Sequence, residues 1–356
     1  MPRSMRRSIG LMACLGTLLV VGASTAVAQY QLTNLSSNQA GQAHHIDPLL
    51  ANGWGMARGA TSAWWIADNT SGWSTLYDEH GVTQALRVLI PTTGNGPDSP
   101  TGMNGPGTPT GMVFNSSSNF QVQGWPALFL FDTLDGTISG WTFKSNPNQA
   151  IIAVDNGKAG AVYTGLAISS GQNMIYAANM AAGTVEVYDG NFNPVNLPGA
   201  FTDPNIPAGF APFGIQDING EVYVTYAAID ESGGGFVDKY TEAGVLVNGK
   251  SLISGAPLNQ PWGVALAPKN FGALSNTILV SNNTNNGTIN AFNEQGMFVG
   301  TVKDSSGKAI VINQLWAIAF GGGNSTNGAL NHLFLTAGPA NNDAGTFGVI
   351  VPVSTK

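Results

Sequence analysis

The chain has 356 residues, with 20 Asp and Glu against 13 Lys and Arg, and only 9% of it is charged. The acidic balance, with basic residues scattered singly beyond Arg7, excludes nucleic acid and anionic membrane surfaces as partners. The single cysteine, Cys14, lies close to the N-terminus, which excludes a disulfide scaffold or thiol chemistry for the body of the protein.

Arg3, Arg6 and Arg7 precede an apolar run from Ile9 to Val21, followed by small residues ending Ala26-Val27-Ala28. This order predicts a secretory signal peptide over 1–28, cleaved before Gln29, and a secreted or periplasmic mature protein. The 13-residue apolar run is shorter than the ~20 residues needed to span a bilayer, so no transmembrane segment is expected. Cleavage would remove Cys14 and three bases, leaving 10 basic against 20 acidic groups.

Residues 30–35 (YQLTNL) read as a strand, and His44, His45 and Asp47 follow it. From there the chain repeats one phrase six times: an aromatic residue or Thr, then Gly and an apolar strand, then a second strand ending at Asp or Asn. The first strands carry Trp54-Gly55, Thr110-Gly111, Thr164-Gly165, Phe213-Gly214, Trp262-Gly263 and Trp316-Ala317. The second positions of these pairs lie 56, 54, 49, 49 and 54 residues apart. A strand-built period near fifty residues predicts an all-β, six-bladed β-propeller of four-stranded antiparallel blades, a single domain over 29–356. The fifth repeat is the clearest, with strands at 262–267, 277–281, 288–292 and 299–302. The sixth has inner strands at 316–320, 332–336 and 346–352 but no outer one. Residues 30–35 are therefore expected to pair antiparallel with 346–351, closing the ring and removing an open edge. Between the first two repeats, 92–109 is rich in Gly and Pro, and Pro100-Thr101-Gly102-Met103 is echoed by Pro109-Thr110-Gly111-Met112. Val113-Phe114 favours the second copy as the start of the inner strand, leaving 92–109 as a surface loop or a flap over the channel mouth.

The order of Pro-x-Gly-apolar strand, Tyr-apolar-Ala-Asp/Asn strand and aromatic-Asp-x-x-Gly turn resembles the NHL-repeat propellers and, more broadly, the regucalcin and gluconolactonase group. Stretches such as HHIDPLLANGWGMA at 44–57, DGTISGW at 135–141, GAFTDPNIPAGFAPFGIQ at 199–216 and NQPWGVALAPKNFG at 259–272 resemble an uncharacterised family of secreted bacterial propellers. That resemblance implies a fold and an extracytoplasmic setting without an assigned activity. In the gluconolactonase-like group a metal ligand commonly precedes the inner-strand Gly. Here Trp, Thr, Thr, Phe, Trp and Trp occupy those positions, a departure that argues against that chemistry.

In a propeller, the inner-strand starts and the second-strand ends converge on one face around the channel. This predicts a ligand-binding mouth formed by Trp54, Phe213, Trp262 and Trp316 with Asp68, Asn69, Asp132, Asn179 and Asn282, aromatic faces to stack and polar groups to hydrogen-bond. The same residues could instead wedge blades together and cap turns. His44 and Asp47, before the first inner strand and expected near that mouth, are the candidate ligands for a divalent metal ion. No other cofactor is predicted, and no G-x-S-x-G, H-E-x-x-H or phosphate-loop motif is present. The leading expectation is a monomeric binding module for an extracellular small molecule, glycan or protein segment, specifically a saccharide or peptide. The alternatives are a metal-assisted hydrolase or lactonase at the same mouth, and a structural envelope protein.

Overall fold

A computed structural model describes residues 29–94 and 105–353. The signal peptide expected over 1–28 and the first Pro-Thr-Gly-Met copy at 100–103 lie outside these residues, so the flap reading of 92–109 rests largely on undescribed chain. Six small antiparallel sheets form a closed ring, a six-bladed β-propeller. Blade one holds Gly53–Ala57, Trp64–Asp68, Trp73–Tyr77 and Val88–Leu89, in that order from the channel outward. Blade two holds Pro109–Phe114, Phe129–Thr133, Thr137–Trp141 and Ile151–Asp155, so the second Pro-Thr-Gly-Met copy does begin an inner strand. Blade three has three regular strands, Tyr163–Ile168, Met174–Asn179 and Thr184–Asp189. Its fourth position is an irregular segment bridged through Tyr188 and Pro194. Blade four begins with Phe210–Ile218 and blade five with Pro261–Leu266.

Blade six runs Leu315–Phe320, Leu333–Ala337 and Thr346–Val353, and Gln29–Ser37 completes it by antiparallel pairing with Thr346–Val353. This is the expected closure, with the strand longer than 30–35 by one residue at its start and two at its end. The added strand also ties blade six to blade five, because the buried Tyr30 donates its phenolic OH to Phe271 O at 2.7 Å and its N–H to Lys303 O at 2.9 Å. A short segment, His45–Ile46, pairs parallel with Ser36 and Ser37 at the outermost edge of this sheet.

The repeated aromatic-Gly phrase is a β-bulge. In every blade the pairing of inner and second strands shifts at this point, with one extra inner-strand residue. The bulge turns the following N–H out of the ladder, and in four blades the residue opposite receives it. Gly111 N–H donates to Asp132 Oδ1, Gly214 N–H to Thr225 Oγ1, Gly263 N–H to Ser281 Oγ and Ala317 N–H to Thr336 Oγ1. The hydroxyls then reach the next blade: Ser281 donates to Trp316 O and Thr336 to Trp54 O, both at 2.6 Å. The last of these bonds joins blade six to blade one with the same chemistry as the joint before it.

Five of the six bulges carry glycine, with Ala317 the exception, and at the tightest of them neighbouring inner strands converge too closely for a side chain. A Cβ on Gly214 would collide with the Trp262 carbonyl, and one on Gly263 would stand 2.8 Å from Trp316 O. Alternating apolar residues pack between blades, and one buried cluster fills each of the six interfaces.

Candidate functional site

The bulges aim four aromatic side chains into the head of the channel. Trp54 and Trp316 stack with ring centroids 3.6 Å apart, Phe213 lies 5.7 Å from Trp316, and Trp262 stands edge-on to Trp316 at 5.9 Å. All four are buried. Blades two and three carry Thr110 and Thr164 at the equivalent position, with hydroxyls bonded into the wall. The aromatics therefore form a plug contributed by blades one, four, five and six.

The plug separates two cavities. On one side, a cavity of about 320 Å³ is lined by Trp262 and by inner-strand residues including Met56, Met112, Ile215 and Ile318. On the other, a mouth of about 620 Å³ has Trp54, Phe213 and Trp316 as its floor. Its wall comes mostly from blades four, five and six. Blade three gives Met180, and no described residue of blade two contributes.

Amides dominate that wall, with Asn259, Asn283, Asn285, Gln314, Asn341 and Asn342 all facing the cavity. Glu231 is the one ionisable side chain among the described lining residues, and Ile229 stands 57% exposed beside it. The lining thus offers paired donors and acceptors, an apolar floor and almost no charge.

Backbone conformation places these groups. Asn52, Gln260 and Gln314 each lie two residues before a channel Trp and adopt positive φ, at 52°, 50° and 51°. The kink lets one residue serve two blades. Gln314 N–H donates to Thr284 O of blade five at 2.8 Å, while Gln314 O accepts from Gly338 N–H of its own blade at 2.9 Å. Gln260 and Asn52 do the same through Gly234 O and Asn283 N–H, and through Ala344 O and Asn69 N–H. Glu231 also has positive φ, and Ala340, Asn341 and Asn342 form three successive left-handed residues. Non-glycine residues adopt this conformation at a cost, and here they gather around one cavity.

The polar residues expected at the mouth lie behind it. Asp68 is buried and accepts from Thr75 N–H and from Thr75 Oγ1 at 2.7 Å; burial raises its carboxyl well above the usual range. Burial likewise pushes Asp132 up to about 7, against the opposing pull of the Thr110 hydroxyl and the Gly111 N–H. Asn69 donates to Pro109 O and accepts from Asn52 Nδ2, joining blades one and two. Asn179 accepts from Val162 N–H and Ala182 N–H and donates to Glu186. Asn282 accepts from Asn259 N–H at 3.0 Å and donates to Pro257 O at 2.8 Å, which holds the loop that brings Asn259 to the cavity. Trp54, Phe213 and Trp316 of the expected set do meet at the mouth, and Trp262 supports them from below.

His44 and Asp47 stand apart from it. His44 precedes the segment on the outer edge of blade six, and Asp47 is buried under Tyr77, whose OH donates to Asp47 Oδ2 at 3.0 Å. The reason is topological: the strand before them is the outermost of blade six, so the chain is still at the ring's periphery at His44. Among the described residues, no three of His, Cys, Asp and Glu gather as a metal-binding group. The wall amides escaped the motif search because single Asn and Gln residues in turns carry no periodicity. The amide-x-Trp pattern of Asn52, Gln260 and Gln314 was the available signal.

No protein-family model matches the chain. Two uncharacterised proteins of Acanthamoeba polyphaga mimivirus are similar to it in sequence. One is 28% identical over 317 residues, covering 84% of this chain and 75% of that protein. The other is 29% identical over 312 residues, covering 84% and 80%. Among solved structures, a protein of unknown function from Bacteroides thetaiotaomicron superposes with a TM-score of 0.55 at 10% identity, covering 91% of this chain and 76% of that one. A catalytically inactive virginiamycin B lyase from Staphylococcus aureus, solved with quinupristin, gives a TM-score of 0.54 at 10% identity, covering 91% and 100%. Likeness at this level establishes the shared propeller fold. No helix of the described residues is long and apolar enough to cross a membrane.

Proposed function

We propose that this propeller is a binding module that holds a neutral saccharide in the mouth above the aromatic plug. The observation that carries the reading is the lining itself: an aromatic floor under a wall of amides, with Glu231 alone ionisable among the described residues. A sugar hydroxyl both donates and accepts, as an amide does, while the apolar face of a sugar ring matches an aromatic surface. Charged ligands would find no opposite charge beyond one rim carboxylate. Recognition is favoured over hydrolysis because, among the described lining residues, Glu231 has no second acid or histidine beside it, and hydrolysis of glycosides ordinarily employs two carboxylates. The Arg-rich start and apolar run of the N-terminal segment support export, which would bring the mouth to extracellular glycans.

Calorimetric titration of the purified chain with a panel of neutral oligosaccharides tests the proposal. Binding of at least one member is expected, with Gln314→Ala and Asn341→Ala each weakening it by about 3- to 10-fold, the loss of one net hydrogen bond, while both variants remain folded. Absence of binding across the panel, or binding indifferent to both substitutions, would overturn it.

A further inference from the structure

Two polar atoms in the wall of the mouth have no partner within the protein, and they are of opposite kind. Trp54 Nε1 is an unpaired donor, and Asn342 Oδ1 is an unpaired acceptor. The neighbouring indoles are satisfied, Trp262 Nε1 by Thr164 O at 2.9 Å and Trp316 Nε1 by Asn52 Oδ1 at 3.1 Å. Leaving a buried N–H unpaired is unfavourable, and a phenylalanine at 54 would fill the plug without that penalty. The retained indole therefore points to a group supplied from outside.

Resting on the reading of the mouth as a saccharide site, we infer that the sugar it takes is N-acetylated. The acetamido carbonyl accepts from Trp54 Nε1–H, the acetamido N–H donates to Asn342 Oδ1, and the methyl rests on the aromatic floor. A hydroxyl can reverse its role and is served by the exposed rim amides. A secondary amide instead carries one fixed acceptor and one fixed donor, one for each kind of unpaired atom. A peptide bond carries the same pair but continues in both directions, whereas the acetamido group ends in a methyl that suits a cavity closed by the plug. Both unpaired atoms are closed to solvent, and Asn342 stands on the left-handed turn of Ala340, Asn341 and Asn342. Such a turn is unfavourable for L-residues, so a shift of it that turns Asn342 Oδ1 toward the ligand also relieves strain.

The test is calorimetric titration of the full chain with chitotetraose, cellotetraose and an acetyl-capped alanine peptide. Chitotetraose is expected to bind about tenfold or more tightly than cellotetraose, in keeping with two added buried hydrogen bonds. Trp54→Phe, and independently Asn342→Ala should the first variant lose its fold, should reduce that preference to about threefold or less, weakening chitotetraose binding more than cellotetraose binding. Equal binding of the two sugars would overturn the acetamido assignment and leave the saccharide reading standing. Binding of neither would overturn both. Tighter binding of the peptide than of either sugar would overturn the assignment to a sugar.

Discussion

The bulge glycines are where a single methyl group has the largest leverage. At Gly214 a Cβ would meet the backbone carbonyl of Trp262, and backbone cannot rotate away as a side-chain tip can. Gly214→Ala should cost about 3 kcal/mol, whereas Gly165→Ala, whose Cβ would stand 3.2 Å from Ile215 N, should cost about 1 kcal/mol. Urea unfolding of both variants gives the comparison; equal losses would show that inter-strand approach does not set the requirement. Asp132 is a second residue with a measurable signature. Its carboxyl, near 3.8 in the unfolded chain, is held up to about 7 by burial, so the folded state retains a proton that the unfolded state releases. The stabilisation from this neutral form is complete below about pH 4 and is lost as pH rises through about 7. Asp132→Asn keeps an acceptor for Gly111 N–H and should flatten the decline in unfolding free energy between about pH 4 and 7. A decline as steep as in the parent chain would mean that another group, such as Asp238, which burial raises to about 6, governs it.

At the scale of elements, the N-terminal strand is the piece whose removal leaves the most unmet bonding. Deleting 29–37 exposes the edge of Thr346–Val353, and takes Tyr30 from its place against Phe271. A fall in melting temperature of about 10 °C or more is expected by calorimetry. Tyr30→Phe isolates one part of that loss, the phenolic bond to Phe271 O, and should lower the melting temperature by only about 2 °C. This strand was readable in advance because the sixth repeat lacked an outer partner and the only spare alternating segment was 30–35. The bulges were readable as a repeated aromatic-Gly phrase, although not as bulges, since register is a property of two strands. The places of His44 and Asp47 were not readable from their proximity to Trp54 in sequence, because a chain entering the last blade first must cross the ring's full width before it begins the first. The wall amides depended on left-handed backbone at Gln314, Asn341 and Asn342, a conformation that tertiary context imposes and that the residue type does not announce.

For the whole molecule, the plug is both the hub of the ring and the floor of the mouth. Trp316 touches Trp54, Phe213 and Trp262 together. Trp316→Ala should cost about 3–5 kcal/mol and join the two cavities, abolishing saccharide binding; urea unfolding and titration check the two effects separately. Retained affinity with lowered stability would place the ligand away from the plug. The mouth also departs from the six-fold plan around it. Blades four, five and six build most of its wall, and no described residue of blade two lines it. A ligand seated there lies off the axis and meets the described part of blade three only at Met180. Apart from Met180, the described loops of blades two and three can be altered with little effect on that ligand, so one ring offers two separately alterable sectors.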